Sequence, residues 1–145
     1  MKLILTAALV STILEVSTAC SCLSTTPIES YNLADWLSRV RIFSKREVNS
    51  VDHRQNIVYT VQHIYVYKNT KGRRLLHSEI WTPKETATCG VPFLEPGKEY
   101  LLPGFYDNSG KLSINLCSSI LEWKDVPDDI KRRLNAGEFS KKTSN

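Results

Sequence analysis

Apolar residues recur along this chain in three different patterns, and each pattern predicts a different kind of element. Residues 3–14 are an almost unbroken apolar run behind a single early Lys2, with small Ser17 and Ala19 after it. That order predicts a signal peptide over residues 1–19, cleaved after Ala19. The run is too short to span a bilayer, which takes roughly 20 apolar residues, and nothing later in the chain approaches that length. Beyond it, β-branched and aromatic residues set the pattern. Residues 36–43 predict a first strand, and 56–67 a long second one with Val58, Thr60, Val61, Ile64, Tyr65 and Val66. The basic residues 68–74, with Gly72 among them, read as a hairpin turn into a third strand over 75–81. Residues 99–104 and 111–116 predict the fourth and fifth strands, joined by a turn at Asp107, Asn108, Ser109 and Gly110. Helical signals are short. Thr26 offers an N-cap and Pro27 a first helical position, which predicts a helix over 27–34. A second helix starts at Asp125 or Pro127, places Ile130 and Leu134 on one face and stops at Gly137. The tail, 140–145, is polar and reads as loose. Five antiparallel strands with short flanking helices predict a mainly β protein, a small closed barrel.

Length and charge add only bounds. Removing residues 1–19 takes away one Lys and one Glu, so the net charge stays at +4, and residues 20–145 suit one domain. There are no repeats, no low-complexity segment and no glycosylation acceptor motif.

Cysteine placement changes the picture more. Cys20, Cys22, Cys89 and Cys117 are even in number and lie in a chain with an export signal, so two disulfides are expected. A Cys20–Cys22 bond would close a very small strained ring. That leaves Cys20–Cys89 with Cys22–Cys117, or the crossed pairing, and the residue spacing does not choose between them. Either pairing ties the first residues of the mature chain to distant segments, so this terminus cannot fray as termini ordinarily do. A bacterial lipoprotein signal also ends at a cysteine, but it carries a large aliphatic residue where Ser17 stands.

Candidate chemistry is sparse. His53, His63 and His77 have no metal-ligand spacing, and His63 and His77 fall in predicted strands where a packed or solvent-facing ring is the common case. Asp128 and Asp129 sit at a predicted helix start, where negative charge suits the helix dipole. No nucleophile elbow, phosphate loop or zinc-protease helix motif occurs. An N-terminal cysteine can act as a nucleophile, but only as a thiolate, which a disulfide removes. Two basic runs, Lys71, Arg73 and Arg74 and then Lys131, Arg132 and Arg133, are candidates for sulfated glycans, although such runs are more often solvated faces. What Cys20 retains is its amino nitrogen and carbonyl oxygen, which together can close a five-membered chelate ring on a metal ion brought from outside.

At these residues a family resemblance becomes visible. The "CSC" at residues 20–22, "DWLSRVRIF", "YKNTKG", "TPKETATCG" and "NLCSSILEWKDVPDDIKRRL", with Trp123 six residues after the last cysteine, resemble the inhibitory N-terminal domain of the tissue inhibitors of metalloproteinases, built on the netrin-like module. The resemblance covers nearly all of residues 20–145. It implies an OB-fold-like barrel of five strands with the pairing Cys20–Cys89 and Cys22–Cys117. It also implies a secreted, extracellular, monomeric inhibitor with no catalysis and no cofactor of its own. Its partners would be zinc metalloproteinases of the matrix metalloproteinase kind, with no nucleic acid involved. On that reading Cys20 is the metal ligand, chelating the zinc of the bound proteinase through its amino and carbonyl groups. Ser21 enters the first primed specificity pocket, Cys22 and Leu23 follow the cleft, Ala87 and Thr88 occupy the non-primed side with Thr86 at the border, and Cys89 is a further proteinase contact. Departures are also visible. Asn32 stands where the family carries a cysteine of a third disulfide, and the second domain of larger members is expected to be absent. The small Ser21 fills a deep pocket incompletely, which favours breadth over discrimination. A netrin-like matrix adaptor without inhibition is the alternative. Chemokines share the CxC pattern, but their later cysteines come much sooner.

Overall fold

In the computed structural model of the chain, residues 20–50, 54–72 and 75–141 are described. The expected signal peptide, His53, Arg73, Arg74 and the end of the tail lie outside them.

Helix α1, Pro27–Leu33, begins as its sequence predicts. The Thr26 hydroxyl accepts from the Glu29 backbone N–H at 3.2 Å, and the Glu29 carboxylate accepts from the Thr26 N–H at 2.7 Å, closing a capping box. The Thr26 N–H, together with the Thr26 hydroxyl, which donates to the same carboxylate at 3.0 Å, holds the Glu29 carboxyl below the usual carboxylate range. Strands β1, Trp36–Asn49, and β2, Gln55–Asn69, form one long antiparallel hairpin. Both exceed their predicted spans: β1 continues because the largely exposed positions 44–49 pair with 55–60, and β2 continues because Lys68 and Asn69 pair with Leu37 and Trp36. Three register irregularities, between Leu37 and Ser38, Arg39 and Val40, and Ile42 and Ser44, let β1 coil. As a result Trp36 pairs at once with Asn69 of β2 and with Gly104 of β4, Glu99–Tyr106.

Strand β3, Glu79–Pro83, pairs antiparallel with the start of β2. It begins four residues later than the predicted 75, and Leu75 is 85% exposed. The two-residue β5, Leu112–Ser113, runs antiparallel to β4 but parallel to β3. The expectation of five antiparallel strands is therefore corrected at this junction: the chain enters β5 through the turn after β4, which fixes its direction. The β1–β4 pairing closes the sheet into a ring of five strands. A further pair of residues, β6 at Leu121–Glu122, adds to the outside of β4 and is not legible as a strand in the sequence. Helix α2, Asp128–Asn135, starts after Pro127, whereas Asp125 belongs to a preceding 3₁₀ turn. Gly137, at φ 74°, ends it as expected.

Alternation along the strands builds two cores. Trp36, Val40, Ile42, Tyr59, Ile80, Tyr100 and Leu102 fill the barrel. Leu37 and Leu101, pointing outward, meet Tyr31 of α1 and Ile130 and Leu134 of α2. Phe139 closes this outer layer, 1% exposed and edge-on to Tyr31.

Lys68 departs most from its predicted place. Rather than opening a turn it lies in β2, 2% exposed. Its ammonium donates to the carbonyls of Tyr31 at 3.2 Å and Asn32 at 2.7 Å. Those carbonyls end α1 and have no partner within the helix. A cation there suits the helix dipole as well.

Candidate functional site

The N-terminal strip is fixed by covalent bonds rather than by secondary structure. Cys20 is bonded to Cys89 and Cys22 to Cys117, over separations of 69 and 95 residues. By loop entropy each bond stabilises the fold by about 4–5 kcal/mol, a model-dependent upper figure. The uncrossed pairing is the one present.

The segment opposite the strip is a tight turn. After β3, the Lys84 N–H donates to the Gln55 carbonyl at 3.0 Å, and a 3₁₀ turn forms over Thr86–Thr88. Its anchor is the Glu85 carbonyl, which accepts from the N–H groups of Thr88 at 3.1 Å and Gly90 at 2.9 Å and from the Thr88 hydroxyl at 2.9 Å. Cys89 then adopts φ 63°, a left-handed conformation that turns its sulfur toward the N-terminus. The chain leaves through buried Gly90 and Val91. The Tyr59 hydroxyl donates to the Val91 carbonyl at 2.7 Å, and burial pushes its pKa up to about 12.

These bonds bring two exposed edges side by side. The Cys20 nitrogen donates to the Ala87 carbonyl at 2.8 Å, so strip 20–23 lies against turn 86–89. A third segment locks both. Leu116 N–H donates to the Cys89 carbonyl at 2.8 Å, Cys117 N–H to the Asn115 side chain at 3.0 Å, and Ser119 N–H to the Ser30 hydroxyl at 3.0 Å. Ser21, Cys22, Leu23, Thr86, Ala87 and Thr88 are all exposed, and Leu23 is 88% so. Cys20 and Cys89 are half-buried between the edges. The structure thus brings together the two edges that carry the residues singled out, from segments more than 60 residues apart in sequence. Beside Ser21, Cys22 and Leu23 lies a shallow hollow of about 290 Å³ that also touches Leu33 and Phe105.

Sequence reasoning passed over Gly90 and Ser30. The glycine after Cys89 was the one available signal. An added Cβ at Gly90 would stand 2.0 Å from the Pro83 carbonyl oxygen, so only glycine fits there.

Other candidates resolve as structural. The His63 ring meets the Ser38 hydroxyl at 2.9 Å and the His77 carbonyl at 2.9 Å, and burial lowers its pKa. Among the described residues, the one cluster of three close metal-ligand types is Cys20, Cys22 and Cys117. Their sulfurs are spent in disulfides and are not thiolates. In the second basic run, Arg133 pairs with Glu138, and Lys131 lies 3.9 Å from Asp128 and over the Trp123 ring.

Comparison with known proteins bears on the family alone. A family model described as "Tissue inhibitor of metalloproteinase" matches residues 18–140. The chain is 30% identical over 154 residues to "Putative metalloproteinase inhibitor tag-225" of Caenorhabditis elegans, an alignment that takes in 93% of this chain and 97% of that one. It is 33% identical over 138 residues to metalloproteinase inhibitor 2 of Homo sapiens and of Rattus norvegicus, again with 93% of this chain but 63% of each relative. The chain therefore spans nearly all of the nematode relative and less than two thirds of the mammalian ones.

Proposed function

Because this chain belongs to the tissue inhibitor of metalloproteinase family, we propose that it is a secreted inhibitor of zinc metalloproteinases whose working end is the amino terminus at Cys20. On this reading a signal peptidase removes residues 1–19, and residues 20–145 form the inhibitory domain. The Cys20 amino and carbonyl groups then chelate the target's catalytic zinc. Such a zinc holds three protein ligands and keeps one position for water. Displacing that water removes the attacking group, and the inhibitor presents no scissile bond in its place. Ser21 enters the primed pocket, Cys22 and Leu23 extend along the cleft, and Ala87 and Thr88 occupy the non-primed side, with Thr86 at the border and Cys89 beside them.

The observation that carries the proposal is the bond from the Cys20 nitrogen to the Ala87 carbonyl, 2.8 Å, within a doubly cross-linked and exposed pair of edges. A nitrogen held there, once freed by cleavage, keeps a hydrogen for that carbonyl and has a lone pair for a metal. The internally paired charges of Lys131 and Arg133 give less support to a sulfated-glycan role for that run.

The test isolates the amino group. A mature chain with one alanine added before Cys20, or with an acetylated Cys20 nitrogen, keeps the barrel and both disulfides. It should remain folded by circular dichroism and lose inhibition of a matrix metalloproteinase by orders of magnitude, since an amide nitrogen does not ligate zinc. Full inhibition by either form refutes the proposal, and a matrix adaptor would be indifferent to both changes.

A further inference from the structure

The two disulfides of the site touch each other. Cys20 Sγ lies 3.8 Å from Cys117 Sγ, although the two atoms belong to different bonds. The sulfurs of Cys20, Cys22 and Cys117 all fall within 4.8 Å of one another. Access to them is unequal: Cys22 is exposed, whereas Cys20, Cys89 and Cys117 are half-buried. Thiol–disulfide exchange depends on which sulfur an incoming thiolate can reach and on what lies next to the sulfur it expels. Both conditions are met in one direction only.

We propose that Cys22 is a thiol-reactive entry site from which the N-terminal cysteine is passed from Cys89 to Cys117. The co-reactant is a small thiol of the glutathione class. Its thiolate attacks Cys22 Sγ, forms a mixed disulfide there, and expels Cys117 as a thiolate. The Cys117 thiolate, already in contact with Cys20 Sγ, attacks it in turn. A Cys20–Cys117 bond forms, the Cys20–Cys89 bond breaks, and Cys89 leaves as a thiolate that takes a proton from water. Each step makes one S–S bond and breaks one, so no oxidant is consumed. The second step needs no further thiol from solution. Well-placed intramolecular groups react as if at effective concentrations far above the millimolar range of a cellular thiol, so the transfer outruns independent reduction of Cys20–Cys89.

The product has lost the covalent tie between strip 20–23 and turn 86–89, while the third segment still holds Cys20. Loss of inhibition follows from this only if Cys20 is the inhibitory residue, as proposed above. The exchange itself does not depend on that reading.

Three tryptic peptides make the test decisive. Cys20 and Cys22 share the peptide that ends at Arg39, Cys89 falls in residues 85–98 and Cys117 in 112–124. The folded protein is incubated with glutathione, alkylated with iodoacetamide, and digested without reduction. The expected early species is peptide 85–98 released and alkylated at Cys89, with the N-terminal peptide carrying glutathione and still joined to 112–124. Inhibition should fall in proportion to its abundance. Release of 112–124 with the N-terminal peptide still joined to 85–98 would mean that the bonds open independently, and would overturn the proposal. So would full protection of both bonds at glutathione concentrations that open them in the urea-unfolded chain. Exchange without any loss of inhibition would leave this proposal standing and count against Cys20 as the inhibitory residue.

Discussion

Replacing Gly90 by alanine asks whether the second edge must stand where it does. The added Cβ would lie 2.0 Å from the Pro83 carbonyl oxygen, 2.6 Å from the Pro83 carbonyl carbon and 2.7 Å from the Glu85 carbonyl oxygen. All three are backbone atoms, so no side-chain rotation relieves the contact. Non-bonded heavy atoms settle at about 3.5–4.0 Å, and the turn must therefore move by roughly 1 Å or more. Glu85 is also the anchor that accepts from Thr88 and Gly90. Losing one such bond costs about 1 kcal/mol, and overpacking adds about 1–3 kcal/mol. The expected loss of stability is thus about 2–4 kcal/mol, read as a lower urea midpoint at an unchanged slope. On the proposed function the effect on inhibition is larger than a general loosening would give. A displacement of about 1 Å in a tightly oriented site costs on the order of 10²-fold, so the inhibition constant for a metalloproteinase catalytic domain should rise by that factor. Gly137→Ala is the control. Its φ is 74° and nothing lies within 4 Å of the added Cβ, so it pays only the left-handed backbone penalty, about 1–2 kcal/mol. It should lower the midpoint and leave inhibition unchanged. Wild-type inhibition by folded Gly90→Ala, or an equal loss in Gly137→Ala, would refute the reasoning.

Lys68→Met removes two charge-assisted hydrogen bonds to the end of α1 and leaves the Tyr31 and Asn32 carbonyls without that donor. The expected cost is about 2–4 kcal/mol in urea unfolding, and an unchanged or higher midpoint would show that desolvating the ammonium outweighs its bonds. His63 supplies a pH test. Its folded pKa is lowered from 6.5 by burial, so the unfolded chain binds more protons and stability declines as pH falls from about 6.5 toward the folded value. His63→Gln should flatten the midpoint between pH 7 and 5, by at most about 1.4 kcal/mol per pH unit, and an unaltered slope would exclude His63 as its source.

The parts of this fold legible in sequence are those whose causes are local. The Thr26 and Pro27 start of α1 and the β-branched body of β2 are written in adjacent residues. Strand β3 was misplaced because its start is set by pairing Glu79 with Thr60, a contact between distant segments. Two-residue β6 exists only through its ladder with β4, and the parallel β3–β5 junction is a property of topology. Lys68 was misread because a lysine in isolation reads as surface, and its partners come from a helix more than thirty residues away. At the site the CxC motif was visible, yet spacing alone left two pairings open. Which carbonyl faces the Cys20 nitrogen follows only once one of them is fixed.

On the proposed function, proximity of the two edges also accounts for how a chain terminus could serve as an inhibitory element at all. Ordering a free backbone costs about 1–2 kcal/mol per residue, so fixing residues 20–23 only on contact with a proteinase would cost about 4–8 kcal/mol of binding energy. At 1.4 kcal/mol per factor of ten, that is roughly three to six decades of affinity. Here the ordering is done during folding, by Cys20–Cys89, by Cys22–Cys117 and by the bond to the Ala87 carbonyl. The barrel contributes by holding positions 89 and 117 at a fixed separation: Tyr59 pins the exit of one segment, and Ser30 receives the backbone N–H of Ser119 in the other. On the proposed function, turn 86–88 and strip 20–23 would then meet a proteinase as one preorganised surface, with the entropic cost already met by the fold. If strip 20–23 is the inhibitory edge, as proposed, the same two bonds are where inhibition is most easily lost, because cutting either returns that cost to the binding step.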